Sequence, residues 1–566
     1  MTDDDAGDDV QRAGPTPAVG PAQRRWRTTA ARFLAIAGPV LVAVAYLWFA
    51  LHYIGAFRYQ MNPDGVGYLS VAHQYATGRF ADAVNAYWSP LYSWLLVPFL
   101  LVRVEPLLAT KILGLLIGGA TIYGMWRIAR NAAVPRNVNL LICAAAIPLV
   151  ADAAYQVTTP DLLVACAILH YLAALTDPSQ PWRWTRALRI GMWAGIAYLA
   201  KAYALPFVIA HFLLVRLIEL IRSGPASPRG AILRSSAISL LAFIVIVGAW
   251  STVLTRKFGY VTTGSTGRYN LRIDAPNSPG QVMHFAGFLP PPNETAVSVW
   301  DDITYHVDLV PRWSPFESAE NRQWMQRNVS RNFDALMKQI EWMTPWCYPI
   351  LLLGGLLVLS RADLRPRRPG FILATAFLLY PCGYLVLHIE RRFLAPVGLL
   401  MLLMVAYLIG RAAARGLLSG WWRRGIAAAV VGATFIGNPW DSLEKSRGTG
   451  RSTVELADRL RDTLPTGATV ASDGRWGETL YLSYLRGWHY YGEPKPSQPD
   501  TAILDDLDRL NVDYLLVWRK RHNWPAKYGW TELPMSPAVP FKVFRPPVAT
   551  KPTSIPATQA SAMVAE

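Results

Sequence analysis

Eleven apolar runs divide the chain, and each is a candidate to cross a lipid bilayer. In chain order they are residues 31–53, 107–128, 138–153, 160–176, 188–202, 204–221, 235–255, 345–360, 370–387, 393–410 and 425–438. Because the bilayer core offers no hydrogen-bond partners, each run has to fold as a helix whose backbone groups bond to one another. The composition agrees, with 52% hydrophobic and only 16% charged residues. The sequence therefore predicts a polytopic α-helical membrane protein and argues against a soluble enzyme.

Arginine is distributed unevenly among the segments that join these runs. With the N-terminus placed inside, the inside segments hold 23 arginines and the short outside segments hold six Lys or Arg residues. Cytoplasmic segments of membrane proteins are rich in Lys and Arg. This bias accounts for the net charge of +17 without a nucleic-acid partner. The pattern predicts a cytoplasmic N-terminus, and the Ala-, Arg- and Trp-rich composition is typical of a bacterial protein, here of the plasma (inner) membrane.

Four segments follow from this orientation. They are a disordered cytoplasmic tail (1–30), a transmembrane domain (31–440) with outer loops 54–106 and 257–343, a small extracytoplasmic α/β domain (441–545) and a flexible tail (546–566). The α/β prediction depends on helix-like stretches at 452–464, 478–487 and 501–511, each followed by a strand-like stretch, at 468–473, 488–492 and 512–518. Such alternation favours parallel strands with covering helices.

The first outer loop carries an aspartate in a turn, in the order Asn62-Pro63-Asp64-Gly65. The residues from Gly65 to about Gly78 have helical spacing, with Tyr68 on one side. Aspartate at this position is also a good helix N-cap, so a structural role for Asp64 stands beside a chemical one.

The same loop resembles the glycosyltransferase C superfamily, in the branch that holds the protein O-mannosyltransferases and the aminoarabinose transferases of lipid A. Asp64, Tyr68 and the stretch SPLYSWL at 89–95 match that branch's Asp-x3-Tyr and Pro-Pro-Leu-Tyr-Tyr-Trp-Leu, with Ser89 and Ser93 as departures. The resemblance implies a GT-C-like helical fold and a polyprenyl-phosphate sugar donor. It also implies a hydroxyl acceptor on a lipid, glycan or protein, with Asp64 as the catalytic base. Tyr68 and Tyr92 are then candidate substrate-binding residues.

Two further outer boundaries carry charged residues. Asp161 follows Thr158-Thr159-Pro160 and is the second candidate catalytic carboxylate. The alternative is a structural role as a helix N-cap. Asp152 is a weaker candidate. The superfamily often has a second acidic residue in this loop. Lys201 lies between two runs, where it either binds the lipid phosphate or reaches to the headgroups.

The outer turn HIERRFLAP at 388–396 breaks the arginine pattern, because it places two arginines on the arginine-poor side. It resembles an Arg-Phe/Tyr-x-x-Pro turn of the superfamily. Arg391 or Arg392, with Arg392 preferred, is therefore predicted to bind the donor phosphate. A Glu390–Arg ion pair with headgroup contacts is the alternative. His388 and Glu390 are candidate substrate-binding residues.

These residues leave two other functions open. A flippase of lipid-linked glycans would place ionisable residues deep in the spans, and an assembly factor would bind partners through residues 440–545. The glycosyltransferase interpretation requires no nucleotide and no certain cofactor. A divalent cation is possible, and Asp301, Asp302 and His306 are weak candidates for it. The expected partners are the polyprenyl-phosphate sugar, membrane lipids and the acceptor.

Overall fold

A computed structural model describes residues 21–178, 183–224, 228–352, 369–518 and 523–547. The predicted run 345–360 and the predicted tails therefore lie partly outside the described residues. In the first half the α-helices are α1 Pro21–Ile54, α2 Pro63–Ala76, α3 Phe80–Ala83, α4 Pro90–Leu101, α5 Pro106–Asn131, α6 Arg136–Ala145, α7 Ile147–Tyr155, α8 Asp161–Thr176, α9 Trp184–Ala200, α10 Ala204–Ile221 and α11 Arg229–Phe258.

The second half of the chain continues the helical pattern. Its α-helices are α12 Thr266–Ile273, α13 Val282–Phe285, α14 Ala319–Met343, α15 Pro369–Leu379, α16 Cys382–Val386, α17 Ala395–Ala414, α18 Trp421–Ala433, α19 Gly437–Lys445, α20 Arg451–Arg459, α21 Trp476–Arg486 and α22 Asp500–Arg509. Residues 347–352 are also helical, and 3₁₀ turns occupy Val299–Leu309, Arg391–Leu394 and Pro525–Tyr528.

The helices confirm a polytopic membrane protein. Among the described residues, seven segments are long and apolar enough to cross a bilayer: Ala37–Ile54, Pro106–Asn131, Arg136–Tyr155, Ala204–Ile221, Arg229–Phe258, Pro369–Val386 and Arg391–Ala414. Helix α8 is apolar but shorter, so the predicted number of eleven spans stays a prediction. Helix α1 begins at Pro21, inside the segment predicted as a tail (1–30), and the boundary at residue 30 stays a prediction. Proline at the first helical position and the Ala- and Arg-rich sequence after it both favour helix there.

Helix α8 lies at the centre of the bundle. Every residue from Asp161 to Thr176 is buried, and α5, α7, α9, α15 and α17 pack around it. A helix that is apolar on all sides is covered either by lipid or by protein, and here neighbouring helices cover it. The outer end of α8 therefore places Asp161 in the middle of the molecule, beside the turn that precedes α2.

The C-terminal segment contains a five-stranded sheet of β1 Thr469–Ser472, β2 His489–Tyr490, β3 Tyr514–Val517, β4 Thr531–Glu532 and β5 Lys542–Arg545, in the order β2-β1-β3-β5-β4. Strand β1 is parallel to β2 and β3, while β5 is antiparallel to β3 and β4. The three parallel strands coincide with the predicted stretches. Strands β4 and β5 were missed because they are short and lie among prolines.

The edge strand β2 is covered by the second outer loop. The Tyr490 amide donates to the Val297 carbonyl at 2.6 Å, and the Leu289 amide donates to the Tyr491 carbonyl at 2.8 Å. An uncovered sheet edge exposes unpaired backbone groups, and here the loop satisfies them. The C-terminal sheet is thus joined to the 257–343 loop, which also packs on α2.

We expect the C-terminal segment to face the outside and the loop before α18 to face the cytoplasm, because arginine is enriched on the side of that loop. A membrane-impermeant maleimide should label Thr501→Cys in intact spheroplasts and label Ser419→Cys only after permeabilisation. Both side chains are exposed. The background carries Cys382→Ser, because Cys382 is exposed whereas Cys143, Cys166 and Cys347 are buried. The reverse labelling pattern would invert the orientation.

Candidate active site

A cavity of about 510 Å³ lies where the N-terminal ends of α2 and α8 meet the turn at 388–394. Its ionisable lining residues are Asp64, Asp161, Lys201, Arg268, His388, Glu390 and Arg392, and its aromatic ones include Tyr68, Tyr87, Trp88, Trp300 and Tyr384. Helix N-termini carry partial positive charge and unpaired N–H groups, so two of them converging here favour anions.

Neither aspartate is a helix N-cap. Asn62 is the N-cap of α2 and Pro160 that of α8, so Asp64 and Asp161 lie in the first turns. Pro63 starts α2 with the backbone angle that a helix needs, which sets the direction of Asp64. Thr159 donates from Oγ1 to Asp161 Oδ2 at 2.7 Å. Both carboxylates are therefore available for contacts across the cavity.

Arg392 joins the carboxylates of the cavity. Its Nη1 donates to Asp64 Oδ2 at 2.5 Å and its Nε donates to Glu390 Oε2 at 2.7 Å. Its Nε also lies 4.0 Å from Asp161 Oδ2. Hydrogen bonds between ionised groups are about twice as strong as neutral ones. Asp64 and Arg392 are 328 positions apart, so this contact ties the first outer loop to the last outer turn.

Lys201 neutralises the other side of Asp161. Its Nζ donates to Asp161 Oδ1 and lies 4.0 Å from the centroid of the Phe393 ring. The break between α9 and α10 positions Lys201, which follows the last residue of α9 as its extended C-cap. The ammonium group is thus fixed by one carboxylate and one ring face.

His388 and Glu390 form a second group of charges in the turn. His388 Nδ1 lies 2.8 Å from Asp274 Oδ2, and its Nε2 lies 3.3 Å from Glu390 Oε1. Burial acts to lower the pKa of His388, but the hydrogen bonds to both carboxylates outweigh it and raise this pKa to about 9. Burial acts to raise the pKa of Glu390, but the bonds to His388 and Arg392 lower it to about 2. Both side chains are therefore charged at neutral pH.

Lys111 is a buried residue that sequence reasoning missed. It is fully buried in α5, and its Nζ donates to the Gln60 carbonyl at 2.9 Å and to Thr158 Oγ1 at 3.2 Å. The Thr158 amide in turn donates to Asn62 Oδ1 at 2.8 Å. Lys111 thus holds together the two loops that carry Asp64 and Asp161. A single lysine inside the apolar run 107–128 was the signal that could have revealed it.

Two predicted site residues lie outside this cavity. Tyr92 is buried behind Tyr68, with ring centroids 5.4 Å apart, and does not line the cavity. Arg391 points to the opposite side of the turn, where its guanidinium stacks 4.5 Å from the centre of the Trp342 ring. Consecutive residues in a tight turn diverge, and the sequence alone could not assign the two arginines to different sides.

The second outer loop is fastened to α2 through Asp301. This buried carboxylate accepts a hydrogen bond from the Ser70 hydroxyl, and Asn85 Nδ2 donates to the Asp301 carbonyl at 2.6 Å. Trp88 Nε1 donates to the Trp300 carbonyl at 2.9 Å. Burial raises the pKa of Asp301 to about 7, although the hydrogen bonds of Ser70 and the backbone oppose that rise. These contacts place Trp300 in the cavity wall.

The carboxylates do not fit a divalent cation. In the described ranges, no three His, Cys, Asp or Glu side chains converge in a way that could hold a metal ion. Asp64 and Asp161 are bonded to Arg392 and Lys201, whose cationic groups stand where an ion would need open oxygens. Asp302 is likewise 3.5 Å from Lys257 Nζ.

Comparison with known proteins identifies the architecture. No family model and no curated protein matches the sequence. Among solved structures, ArnT from Cupriavidus metallidurans bound to undecaprenyl phosphate aligns at TM-score 0.55 and 14% identity, over 89% of this chain and 97% of that one. The oligosaccharyltransferase of Archaeoglobus fulgidus in complex with Zn and sulfate aligns at TM-score 0.53 and 10% identity, over 85% and 67%. The chain has a GT-C-type fold.

We expect the His388–Asp274 contact to stabilise the protein in a pH-dependent way. The pKa of His388 is raised from 6.5 to about 9, so the stabilisation is complete below pH 6.5 and is lost as the pH rises through 9. Asp274→Asn should lower the melting temperature by about 2 °C at pH 7.5 and by less at pH 10. The measurement is thermal unfolding in detergent, and an equal loss at both pH values would contradict the assignment.

We expect Lys111→Met to fold but to misplace both carboxylates. Methionine has a similar size and removes the cost of burying the amino group, which offsets the loss of its two hydrogen bonds to neutral oxygens. A displacement of about 1 Å at a catalytic group costs on the order of 100-fold in rate. The kcat of sugar transfer should therefore fall by about that factor while the melting temperature changes little. Unchanged kcat in a folded Lys111→Met protein would show that the two loops hold their places without Lys111.

Proposed function

We propose that this protein is an integral-membrane glycosyltransferase. It moves a monosaccharide from a polyprenyl-phosphate donor to a hydroxyl of a lipid, glycan or protein on the outer face of a bacterial plasma membrane. The observation that carries the proposal is the cavity in which Asp64 and Asp161 meet Arg392 and Lys201, on a GT-C-type fold. The similar structure of ArnT contains undecaprenyl phosphate, which supports the donor class.

The donor phosphate would bind Lys201 and Arg392. A guanidinium offers two parallel N–H donors to a phosphate, and an ammonium acts as a compact point charge beside it. Arg268 also lines the cavity, where it donates to the Tyr260 hydroxyl at 3.2 Å and is exposed enough to turn toward a ligand. Leu205, Pro206 and Leu387 form an apolar wall nearby, which suits the first units of a prenyl chain.

Asp64 would act as the general base. The acceptor oxygen bonds to the anomeric carbon, the bond from that carbon to the phosphate oxygen breaks, and its electron pair leaves with the phosphate. The acceptor proton passes to Asp64. Lys201 and Arg392 stabilise the charge on the departing phosphate. The leaving group is already activated, so the protein has to supply a base, a cationic phosphate site and correct positioning.

The ion pair between Asp64 and Arg392 couples donor binding to this base. A carboxylate oxygen that accepts a hydrogen bond from a guanidinium is occupied and cannot at the same time accept the proton of the acceptor hydroxyl. A donor phosphate competes with Asp64 for Arg392 and thereby frees the carboxylate to accept a proton. Asp161 keeps Lys201 in position and lies 4.0 Å from Arg392 Nε, so Arg392 still has a carboxylate neighbour when it turns to the phosphate.

The test is sugar transfer by membranes that carry the wild-type protein, Asp64→Asn or Asp82→Asn, given radiolabelled polyprenyl-phosphate sugars. Asp82 is the matched control, because it lies in the same outer loop and pairs with Arg79 outside the cavity. We expect Asp64→Asn to lose on the order of 100- to 10,000-fold in rate and Asp82→Asn to retain full transfer.

Two results would overturn the proposal in different ways. Full transfer by a folded Asp64→Asn protein would remove Asp64 from the chemistry and leave the enzyme class intact. If the wild-type protein used no donor, and lipid-linked glycan accumulated on the inner face of a deletion strain, the protein would be a flippase instead.

A further inference from the structure

A second, smaller cavity of about 200 Å³ lies on the other side of the turn at 390–392. It is lined by Leu149, Asp152, Ala153, Gln156, Trp342, Arg391 and their neighbours, and it shares Glu390 and Arg392 with the first cavity. Building on the proposed function, we propose that this cavity binds a neutral, hydroxyl-bearing sugar ring of the acceptor, with Asp152 and Arg391 as its polar contacts.

Asp152 has Ser442 and Gln156 as side-chain hydrogen-bond neighbours, but one of its carboxylate oxygens, Oδ1, has no partner within the described part of the chain. Its side chain is only 8% exposed. The nearest cation, Arg391 Nη2, is 4.0 Å from this oxygen, which is too far for a hydrogen bond. Buried polar atoms are nearly always hydrogen-bonded, so an orphaned carboxylate oxygen in a cavity wall indicates a donor supplied by a ligand.

Arg391 and Trp342 provide the opposite wall. The guanidinium lies over the indole at 4.5 Å, and the Arg391 side chain is 38% exposed. Stacking on a ring fixes the plane of the guanidinium and leaves its N–H groups, which lie in that plane, able to donate sideways. The cavity thus offers N–H donors on one side and a carboxylate oxygen on the other.

The charges around the cavity favour a neutral ligand. The two acidic residues in its lining, Asp152 and Glu390, are balanced by Arg391 and Arg392. A phosphate in this small cavity would be repelled by the carboxylates of Asp152 and Glu390, and Arg391 and Arg392 would have to offset that electrostatic repulsion. A sugar hydroxyl both donates and accepts, so neighbouring hydroxyls can bond to Asp152 and Arg391 at once. The chemistry therefore matches a sugar ring better than a second phosphate.

The position of the cavity assigns this sugar to the acceptor. The donor phosphate is placed by Lys201 and Arg392 in the first cavity, on the other side of the turn. Arg392 lines both cavities and is bonded to Asp64. A sugar held by Asp152 and Arg391 is therefore separated from the proposed base by one guanidinium, and that guanidinium leaves Asp64 when the donor binds. Binding of the donor would then open the way from the acceptor to the base.

The experiment separates acceptor binding from donor chemistry. With the productive radiolabelled donor, we would measure transfer to a dilution series of the solvent-extracted envelope material that accepts label, and donor hydrolysis by water without that material. The variants are Asp152→Asn and Arg391→Met, whose methionine keeps the apolar contact with Trp342. Asp82→Asn and Arg79→Met are the controls, because Asp82 and Arg79 pair with each other outside both cavities.

We expect the apparent KM for the acceptor to rise 10- to 100-fold in both variants, as for the loss of a hydrogen bond to a charged group. The KM for the donor and the rate of donor hydrolysis should stay within about twofold of the wild type. Because Arg391 is partly exposed, Arg391→Met tests the inference even where Asp152→Asn does not fold.

Three results would overturn the inference. An unchanged acceptor KM in a folded variant would show that the cavity binds no acceptor. A raised donor KM or slower hydrolysis would make the cavity part of the donor site. In both of these cases transfer still depends on Asp64, so the proposed function stands. Transfer and hydrolysis that no longer depend on Asp64 would remove the proposed function and the acceptor subsite together.

Discussion

The ion pair between Asp64 and Arg392 is the contact on which the rest of the site depends. It joins the start of α2 to the turn before α17, across 328 positions of sequence. Arg392 carries three carboxylate neighbours, and two of them come from helix N-termini whose partial charges already favour anions. Without that guanidinium, three carboxylates would repel one another in a half-buried space. The cation therefore stabilises both the helix arrangement and the charge state of the cavity.

The membrane helices supply the rigid frame for this pair. Helix α8 is covered on every side, so packing fixes the position of its first turn, where Asp161 lies. The segments just before α2 and α8, residues 60–62 and 156–160, form neither helix nor strand. Lys111 connects these segments through hydrogen bonds to Gln60 and Thr158, and a charged group buried among neutral oxygens is a costly way to join two loops. Such a cost is understandable where the two segments position the groups proposed to react.

Much of the architecture could be predicted from the sequence, because apolar length and arginine distribution act over whole segments. The helices, the α2 segment after Asp64 and the three parallel strands came from patterns of this kind. Contacts between distant segments could not be predicted. Nothing in the local sequence shows that Arg392 reaches Asp64 while Arg391 reaches Trp342, since adjacent side chains differ only in the direction that the turn gives them. Tyr92 fits the motif yet packs behind Tyr68 for the same reason.

The two arginines of the turn also suggest why the site needs both. The proposed transfer reaction has to bring a negatively charged donor and a neutral acceptor to one carboxylate without letting either occupy the other's place. Arg392 is bonded to carboxylates with which a phosphate can compete, whereas Arg391 lies over the Trp342 ring and keeps N–H groups that can donate to a neutral ligand beside Asp152. One turn of 3₁₀ geometry from Arg391 to Leu394 thus presents a carboxylate-bound guanidinium to one cavity and a guanidinium stacked on an indole to the other. The two arginine side chains are chemically the same. Selectivity between a charged donor and a neutral acceptor would then follow from their surroundings, which are carboxylates for Arg392 and an indole ring for Arg391.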